Sequence, residues 1–250
     1  MPRLFVDRQQ LSGGTLVLEG SQARHLAGSL RVRPGELIEV VDDAGSEHGV
    51  RVTGVGRGRV TGSVLWTREA GGEPRLHLEV VQALIRELDE VVAGLTEVGV
   101  GVIRPAVTAR CVTRPDGERA AGRLRRWREI AREAAQLAHR AAVPPVHPVT
   151  DLGTALAELP EGSRILGCVV DAPRSLAGTE VDAGRPLALV VGPEGGLDAS
   201  DLEALRSAGA ELVHLGPRIL PSARAGVVAA ALILAASGDL TAGPPGSPER

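Results

Sequence analysis

The chain has 250 residues, 43% of them hydrophobic, and a formal net charge of −3; it can bury a sizeable core in one large domain or two small ones, and it is not a broadly basic nucleic-acid binder. No apolar run reaches the roughly 18 residues of a membrane span and no basic-plus-apolar leader opens the sequence, so a cytoplasmic protein without membrane contact is expected. All 28 basic residues are arginine, which excludes Walker-type phosphate binding, Schiff-base chemistry and any lysine general base.

Residues 1–68 read as β-rich, with short branched or alternating runs at Leu16–Leu18, Leu37–Val41, Val50–Val55 and Val60–Trp66. Gly54-Val55-Gly56-Arg57-Gly58 looks like a nucleotide loop but joins two strand-like runs and opens no helix, so it reads as a hairpin turn. Ala70-Gly71-Gly72-Glu73-Pro74 reads as a linker. The expected boundaries are a β domain over 1–70 and an α/β domain over 75–240.

From residue 75 strands and helices alternate. Leu76–Ala83 is a strand, Leu88–Val98 a helix stopped by Gly99, and Val100–Pro105 a second strand. An arginine-rich helix is expected over 119–140, ended by Pro144 and Pro145, with Glu129 and Glu133 placed to form salt bridges along it. Asp151–Leu159 is a further helix, followed by buried-strand candidates at Ile165–Val170 and Leu187–Val191. The pattern indicates an α/β fold whose parallel sheet is covered on both faces. Asp198 caps a helix over Leu202–Ser207, with Asp201 three residues on; Gly209 ends it, and Glu211–Leu215 is the next strand. Ser222 reads as the N-cap of a final Ala/Val/Leu helix, apolar almost all round and therefore buried or at an interface. A Gly/Pro-rich tail over 241–250 reads as disordered.

The chemistry concentrates in two loops. Val190-Val191-Gly192-Pro193-Glu194-Gly195-Gly196 and Leu215-Gly216-Pro217-Arg218-Ile219-Leu220 each follow an apolar strand, so both face one crevice at the carboxyl ends of a parallel sheet. Their glycines permit close backbone approach, exposed amides contact a polar ligand, and Leu215, Ile219 and Leu220 can sandwich a flat ring. Cys111, Cys168 and the six histidines are scattered without ligand spacing, so no metal is expected.

Together with these loops, several motifs resemble the RsmE family, bacterial 16S rRNA uracil-N3 methyltransferases of the SPOUT superfamily. They are Pro2-Arg3-Leu4-Phe5-Val6, His25 with Leu30-Arg31-Val32-Arg33-Pro34-Gly35, Thr96-Glu97-Val98-Gly99-Val100, Ala109-Arg110-Cys111-Val112, and Arg126-Trp127 ahead of Arg132-Glu133-Ala134-Ala135. The resemblance implies a small PUA-like β-barrel followed by a SPOUT-type α/β domain with a C-terminal trefoil knot. It also implies S-adenosyl-L-methionine held bent between the knot loops, and a homodimer. The implied cofactor contacts are Val170, Val191, Gly192, Pro193, Glu194, Gly195, Leu215, Gly216, Ile219, Leu220 and Ala225. Glu194 is the candidate base or orienter, with Arg140 and Arg224 stabilising negative charge on the uracil oxygens. Arg3, Arg31, Arg33 and Arg110 are candidate RNA contacts.

The chain departs from the family pattern where substrate chemistry is expected. Pro221-Ser222-Ala223-Arg224-Ala225 stands where relatives carry Arg-Thr and a Thr-Ala pair, Ile85-Arg86-Glu87-Leu88 where they carry a Pro-Lys-Gly-Asp-like stretch, and Leu137 where they carry glutamine. Pro221 removes a permanently charged planar donor, which Arg224 is placed one turn away to restore. The resemblance implies 16S rRNA or the 30S subunit as partner, while the altered substrate-side motifs favour the alternative of a diverged relative methylating a nitrogen of a small molecule; a catalytically silent cofactor binder is the third reading.

Overall fold

The computed structural model describes residues 1–241. Within them the chain divides into two compact units, residues 1–73 with 135–142, and residues 74–134 with the remainder from 143. Thr241 closes a short 3-10 turn, and the rest of the expected disordered tail lies outside the described residues.

The first unit contains β1 (Arg3–Val6), β2 (Leu11–Ser12), β3 (Thr15–Glu19), α1 (Gly20–Arg24), β4 (Leu37–Asp42), β5 (Ser46–Gly56) and β6 (Arg59–Glu69). They form one sheet in the order β1-β4-β5-β6-β3-β2, antiparallel except for β1 beside β4. The 54–58 glycine stretch is the β5–β6 hairpin end, with Gly58 at φ 73°. Alternating residues such as Leu16, Leu18, Ile38, Val40, Val50, Val52 and Val60 build the core, closed by Ala23 and Leu26. Gly49 is required on β5, because a Cβ there would lie 2.1 Å from the Trp66 ring.

A charged cluster sits beside this core. Arg3 is 6% exposed; its guanidinium meets Glu47 at 2.6 Å and Glu39 at 3.5 Å, and donates to the carbonyls of Arg140 (2.9 Å) and His139. The expected RNA contact at Arg3 is thereby corrected: the side chain is buried and its Nη donors are engaged inside the unit. Burial pushes the Glu47 carboxyl up, but bonds from Arg68 and Arg3 outweigh it and leave the group below its ordinary value. Asp42 follows the same pattern, with the amides of Ser46 and Ala44 and the His48 ring outweighing burial. Carboxyls depressed in the folded state bind fewer protons than in the unfolded chain, so their stabilisation is full above the ordinary carboxylate pKa and lost as pH falls. The urea midpoint, read from Trp66 emission in a Trp127→Phe background, is therefore expected to fall between about pH 5 and pH 3. Glu47→Gln should flatten that slope, and an unchanged slope would contradict the assignment.

The second unit is built from β7 (Leu78–Ala83), α2 (Leu88–Val98), β8 (Val102–Val107), α3 (Gly117–Leu137, whose last three residues belong to the first unit), β9 (Thr150–Asp151), α4 (Leu152–Ala157), β10 (Arg164–Cys168), β11 (Arg174–Ser175), β12 (Leu187–Val191), α5 (Ala199–Ser207), β13 (Glu211–His214) and α6 (Ser222–Ala236). All strand pairs are parallel, in the order β11-β13-β10-β12-β7-β8-β9. Leu78, Val80, Leu189 and Val191 pack with α2 and α6 on one face, while Val81 and Val190 pack with α4 and α5 on the other. The sheet is covered on both sides, as near-continuous apolar strands require.

Local signals account for several boundaries. Gly99 ends α2 at φ 109°, and Asp198 with Asp201 forms the capping box of α5. The arginine-rich helix ends earlier than expected, at Leu137, because His139 takes a left-handed φ of 56° well before the prolines. Its charges also engage other elements: Arg126 meets Asp89 of α2 at 2.6 Å, and Arg128 donates to the Val146 carbonyl at 3.1 Å. Across β7 and β8, buried Arg104 meets buried Glu79 at 2.6 Å and Glu158 at 3.0 Å, while His77 reaches the other Glu79 oxygen at 2.9 Å. Burial, and then the Arg104 charge, pull His147 below its ordinary value, which suits a neutral ring accepting from Arg104 at 3.2 Å.

Candidate active site

The strands β13, β10 and β12 lie side by side and parallel, so the loops that follow them emerge at one edge of the sheet. The segments after β12 (192–197) and β13 (215–221) enclose a cavity of about 590 Å³, and a third loop after β10 (169–171) completes it. This volume lies within the usual range for small-molecule and cofactor sites.

The first loop is held from three sides. The Gly192 carbonyl accepts from Ser222 Oγ at 2.6 Å, the Pro193 carbonyl from the Gly196 amide at 2.9 Å, and the Gly195 carbonyl from Arg110 Nη1 at 2.6 Å. A side chain at Gly192 would crowd Leu197, with a Cβ 3.1–3.2 Å from Leu197 atoms, and Gly196 turns at φ 71°. In the second loop Gly216 takes φ 100°, and its amide donates to His214 Nδ1 at 3.0 Å. The amides of Glu194, Gly195, Ile219 and Leu220 have no acceptor among the described residues. Unpaired loop amides beside an apolar-walled cavity are a donor set for a polar ligand edge. A cofactor with one flat apolar part and several polar groups fits these residues.

Every implied cofactor contact, from Val170 and Val191 through Gly192, Pro193, Glu194, Gly195, Leu215, Gly216, Ile219 and Leu220 to Ala225, lines this cavity. Val170 stands clear of its strand, which ends at Cys168, and is 62% exposed; Ile219 is 78% exposed. Glu194 is exposed and makes no hydrogen bond or ion pair among the described residues. Arg110 also lines the cavity, belongs to the second unit, and clamps the first loop. It is set by the neighbouring Ala109 amide, which donates to buried Asp201 at the start of α5.

The other candidate arginines lie elsewhere. Arg140 is 4% exposed and belongs to the first unit, where its guanidinium pairs with Glu73; that carboxylate also takes the amides of Ala141 (2.9 Å) and Ala142 (3.2 Å). Its expected role of stabilising negative charge on the uracil oxygens is thus corrected, because the guanidinium is buried and held by Glu73. Arg224 sits on the first turn of α6, exposed and without a side-chain partner among the described residues. Arg31 and Arg33 are exposed on the first unit, Arg31 at φ 52°.

Ser222 does not act as an N-cap: Pro221 occupies that position without a side-chain bond, and the Ser222 hydroxyl serves Gly192. Sequence reasoning also passed over Asp171 and Arg218, both exposed cavity residues, and Gln82 on β7, which donates to Ser222 Oγ at 3.2 Å. Asp171 follows a strand recognised as such, and its signal is adjacency of that strand to β12; Gln82 carries no sequence signal inside an apolar run. Cys168 lines the cavity with its thiol pushed up to about 12 by burial, so it is a neutral wall and not a nucleophile. Among the described residues no cluster of His, Cys, Asp and Glu could hold a metal ion, and no helix is long and apolar enough to cross a membrane.

Comparison with known proteins agrees with this geometry. A family described as an RNA methyltransferase domain matches residues 72–234, and an RNA methyltransferase PUA domain matches residues 18–65. The ribosomal RNA small subunit methyltransferase E of Mycobacterium tuberculosis is 35% identical over 243 residues, 95% of this chain and 91% of the relative. Its namesake from Bacillus subtilis is 28% identical over 236 residues, covering 88% and 91%. Among solved structures, a ribosomal RNA small subunit methyltransferase E from Neisseria gonorrhoeae bound to S-adenosyl methionine superposes with a TM-score of 0.84 at 31% identity, covering 94% of this chain and 97% of that one.

Proposed function

The chain belongs to the ribosomal RNA small subunit methyltransferase E family, and from that membership we propose that it methylates 16S ribosomal RNA with S-adenosyl-L-methionine, the acceptor being N3 of a uridine. The observation that carries the reading is the cavity at the ends of β10, β12 and β13, with its apolar walls and four unpaired loop amides.

When bound, S-adenosylmethionine supplies an electrophilic methyl group on a sulfonium, open to in-line displacement without a metal. The chain supplies alignment and a dry wall. Leu215, Ile219, Leu220, Val191 and Ala225 give apolar surface, and the loop amides read a polar edge. Glu194 removes or orients the N3 proton, for which an exposed carboxylate without an intramolecular partner is suited. Arg224 places a permanent positive charge near the uracil oxygens. Arg140 is left out of this scheme because Glu73 holds it. Arg31, Arg33 and the donors of Arg110 not used by Gly195 are the proposed rRNA contacts.

A homodimer is part of the same reading. Helix α6 buries Ala225, Ala229, Ala230, Ile233 and Leu234, but Val228 on its other side is 37% exposed and Leu232 is half-buried, an apolar stripe suited to a second copy. The trefoil knot implied by the resemblance is likewise proposed; it is supported by β13 lying on the far side of β10 from β12.

The test is titration with S-adenosylmethionine followed by methyl transfer to 30S subunits lacking the modification. Saturable cofactor binding and salt-sensitive transfer to uridine N3 are expected. Tight cofactor binding without transfer to rRNA or 30S would sink the substrate, and no cofactor binding would sink the enzyme reading altogether.

A further inference from the structure

We infer that Gln82 and Ser222 form a positioning pair that sets the first loop of the cavity through the Gly192 carbonyl. The inference rests on reading that cavity as the cofactor site. Ser222 Oγ has one hydrogen, and the Gly192 carbonyl takes it at 2.6 Å. The bond from Gln82 Nε2 at 3.2 Å must therefore enter on an oxygen lone pair, and the second Nε2 hydrogen goes to the Ala83 carbonyl at 3.2 Å. Both amide hydrogens are thus used, and turning the amide over would set oxygen against oxygen at Ala83.

The arrangement leaves a residue of cost. Gln82 is fully buried, and its Oε1 has no hydrogen-bond partner. An unpaired buried carbonyl is unfavourable, and an aliphatic side chain would fill the same space without one. What only the amide supplies is the donor that holds the Ser222 hydroxyl toward Gly192. The same oxygen also explains the glycine above it, since a Cβ on Gly226 would lie 2.7 Å from Oε1.

The consequence is local. Gly192 precedes Pro193, which has no amide hydrogen to anchor the chain, so the Ser222 bond is what fixes the peptide at the loop's entry. Beyond it lie the unpaired Glu194 and Gly195 amides. Neither Gln82 nor Ser222 is assigned a chemical step; they act through the loop.

Ser222→Ala is expected to weaken S-adenosylmethionine binding about tenfold, with a matching rise in cofactor KM and a smaller change in kcat. It should also speed hydrogen exchange across residues 191–197. Ser222→Thr, which keeps the hydroxyl, should restore both. Gln82→Met should reproduce Ser222→Ala, and the double variant should be little worse than either single one, because both cut the same relay. Gly226→Ala, which displaces Gln82 from the opposite side, gives an independent route to the same loss if Ser222→Ala fails to fold. A variant that melts earlier yet keeps wild-type affinity and loop exchange, or single effects that add in full, would overturn the positioning role. If the unmodified protein does not bind S-adenosylmethionine, the cavity reading fails; loop exchange in Ser222→Ala still decides whether the pair sets the loop.

Discussion

Replacing Glu194 with glutamine is expected to lower kcat for rRNA methylation by about 10²–10⁴-fold, the usual contribution of a positioned acid or base. The substitution is nearly isosteric, and Glu194 is exposed with no partner among the described residues, so the fold and the loop should be undisturbed. Cofactor affinity should stay within about threefold, because only an interaction made during proton removal is lost. The split between kcat and cofactor Kd is the informative measurement. A proportional loss in both would make Glu194 a cofactor contact, and no loss in either would remove it from the mechanism. Arg224→Gln should also reduce kcat, but a single exposed cation is worth less than the base.

Arg104→Met is expected to destabilise the second unit by about 3–5 kcal/mol, the cost of stranding one member of a buried pair. The Arg104 side chain is 8% exposed and that of Glu79 3%, on adjacent interior strands, and among the described residues the carboxylate would keep only His77 as a partner. For a unit of this size the melting temperature should fall by about 10 °C. A matched change distinguishes a stranded charge from a packing defect: Glu79→Leu combined with Arg104→Met should recover most of the loss, since apolar replacement of a whole buried pair is often neutral. If the double variant is as unstable as the single one, the strands need the ion pair for register or for Glu158 and His147, and the electrostatic account fails.

Legibility in the sequence followed the range of the interaction responsible. Helix α2 ends where Gly99 says it must, β12 spans the expected Leu187–Val191, and α5 begins at the Asp198 capping box, all effects decided within a few residues. The two glycine loops were legible for the same reason, and parallel strands then bring them to one edge. The end of α3 was not legible, because a histidine and not a glycine adopts the left-handed turn. Arg3 and Arg140 looked like surface cations, and their burial depends on carboxylates at Glu39, Glu47 and Glu73, far along the chain from one or both. Gln82 was invisible because its partner lies 140 residues away.

The discontinuity of the first unit bears on how the chain is made. Its N-terminal strand carries Arg3, but the carbonyls that accept from Arg3 belong to His139 and Arg140, more than 130 residues later. Residues 135–142 are part of the same compact unit, and the Glu73 carboxylate waits for amides at Ala141 and Ala142. During synthesis the N-terminal module therefore emerges first and is completed late, after α2, β8 and nearly all of α3 have left the ribosome. Until then Glu73 and one edge of Arg3 remain in water. A polypeptide cut at the apparent domain boundary would carry that incomplete state permanently. The compact module is thus not the first 73 residues but those residues plus a short, distant clasp.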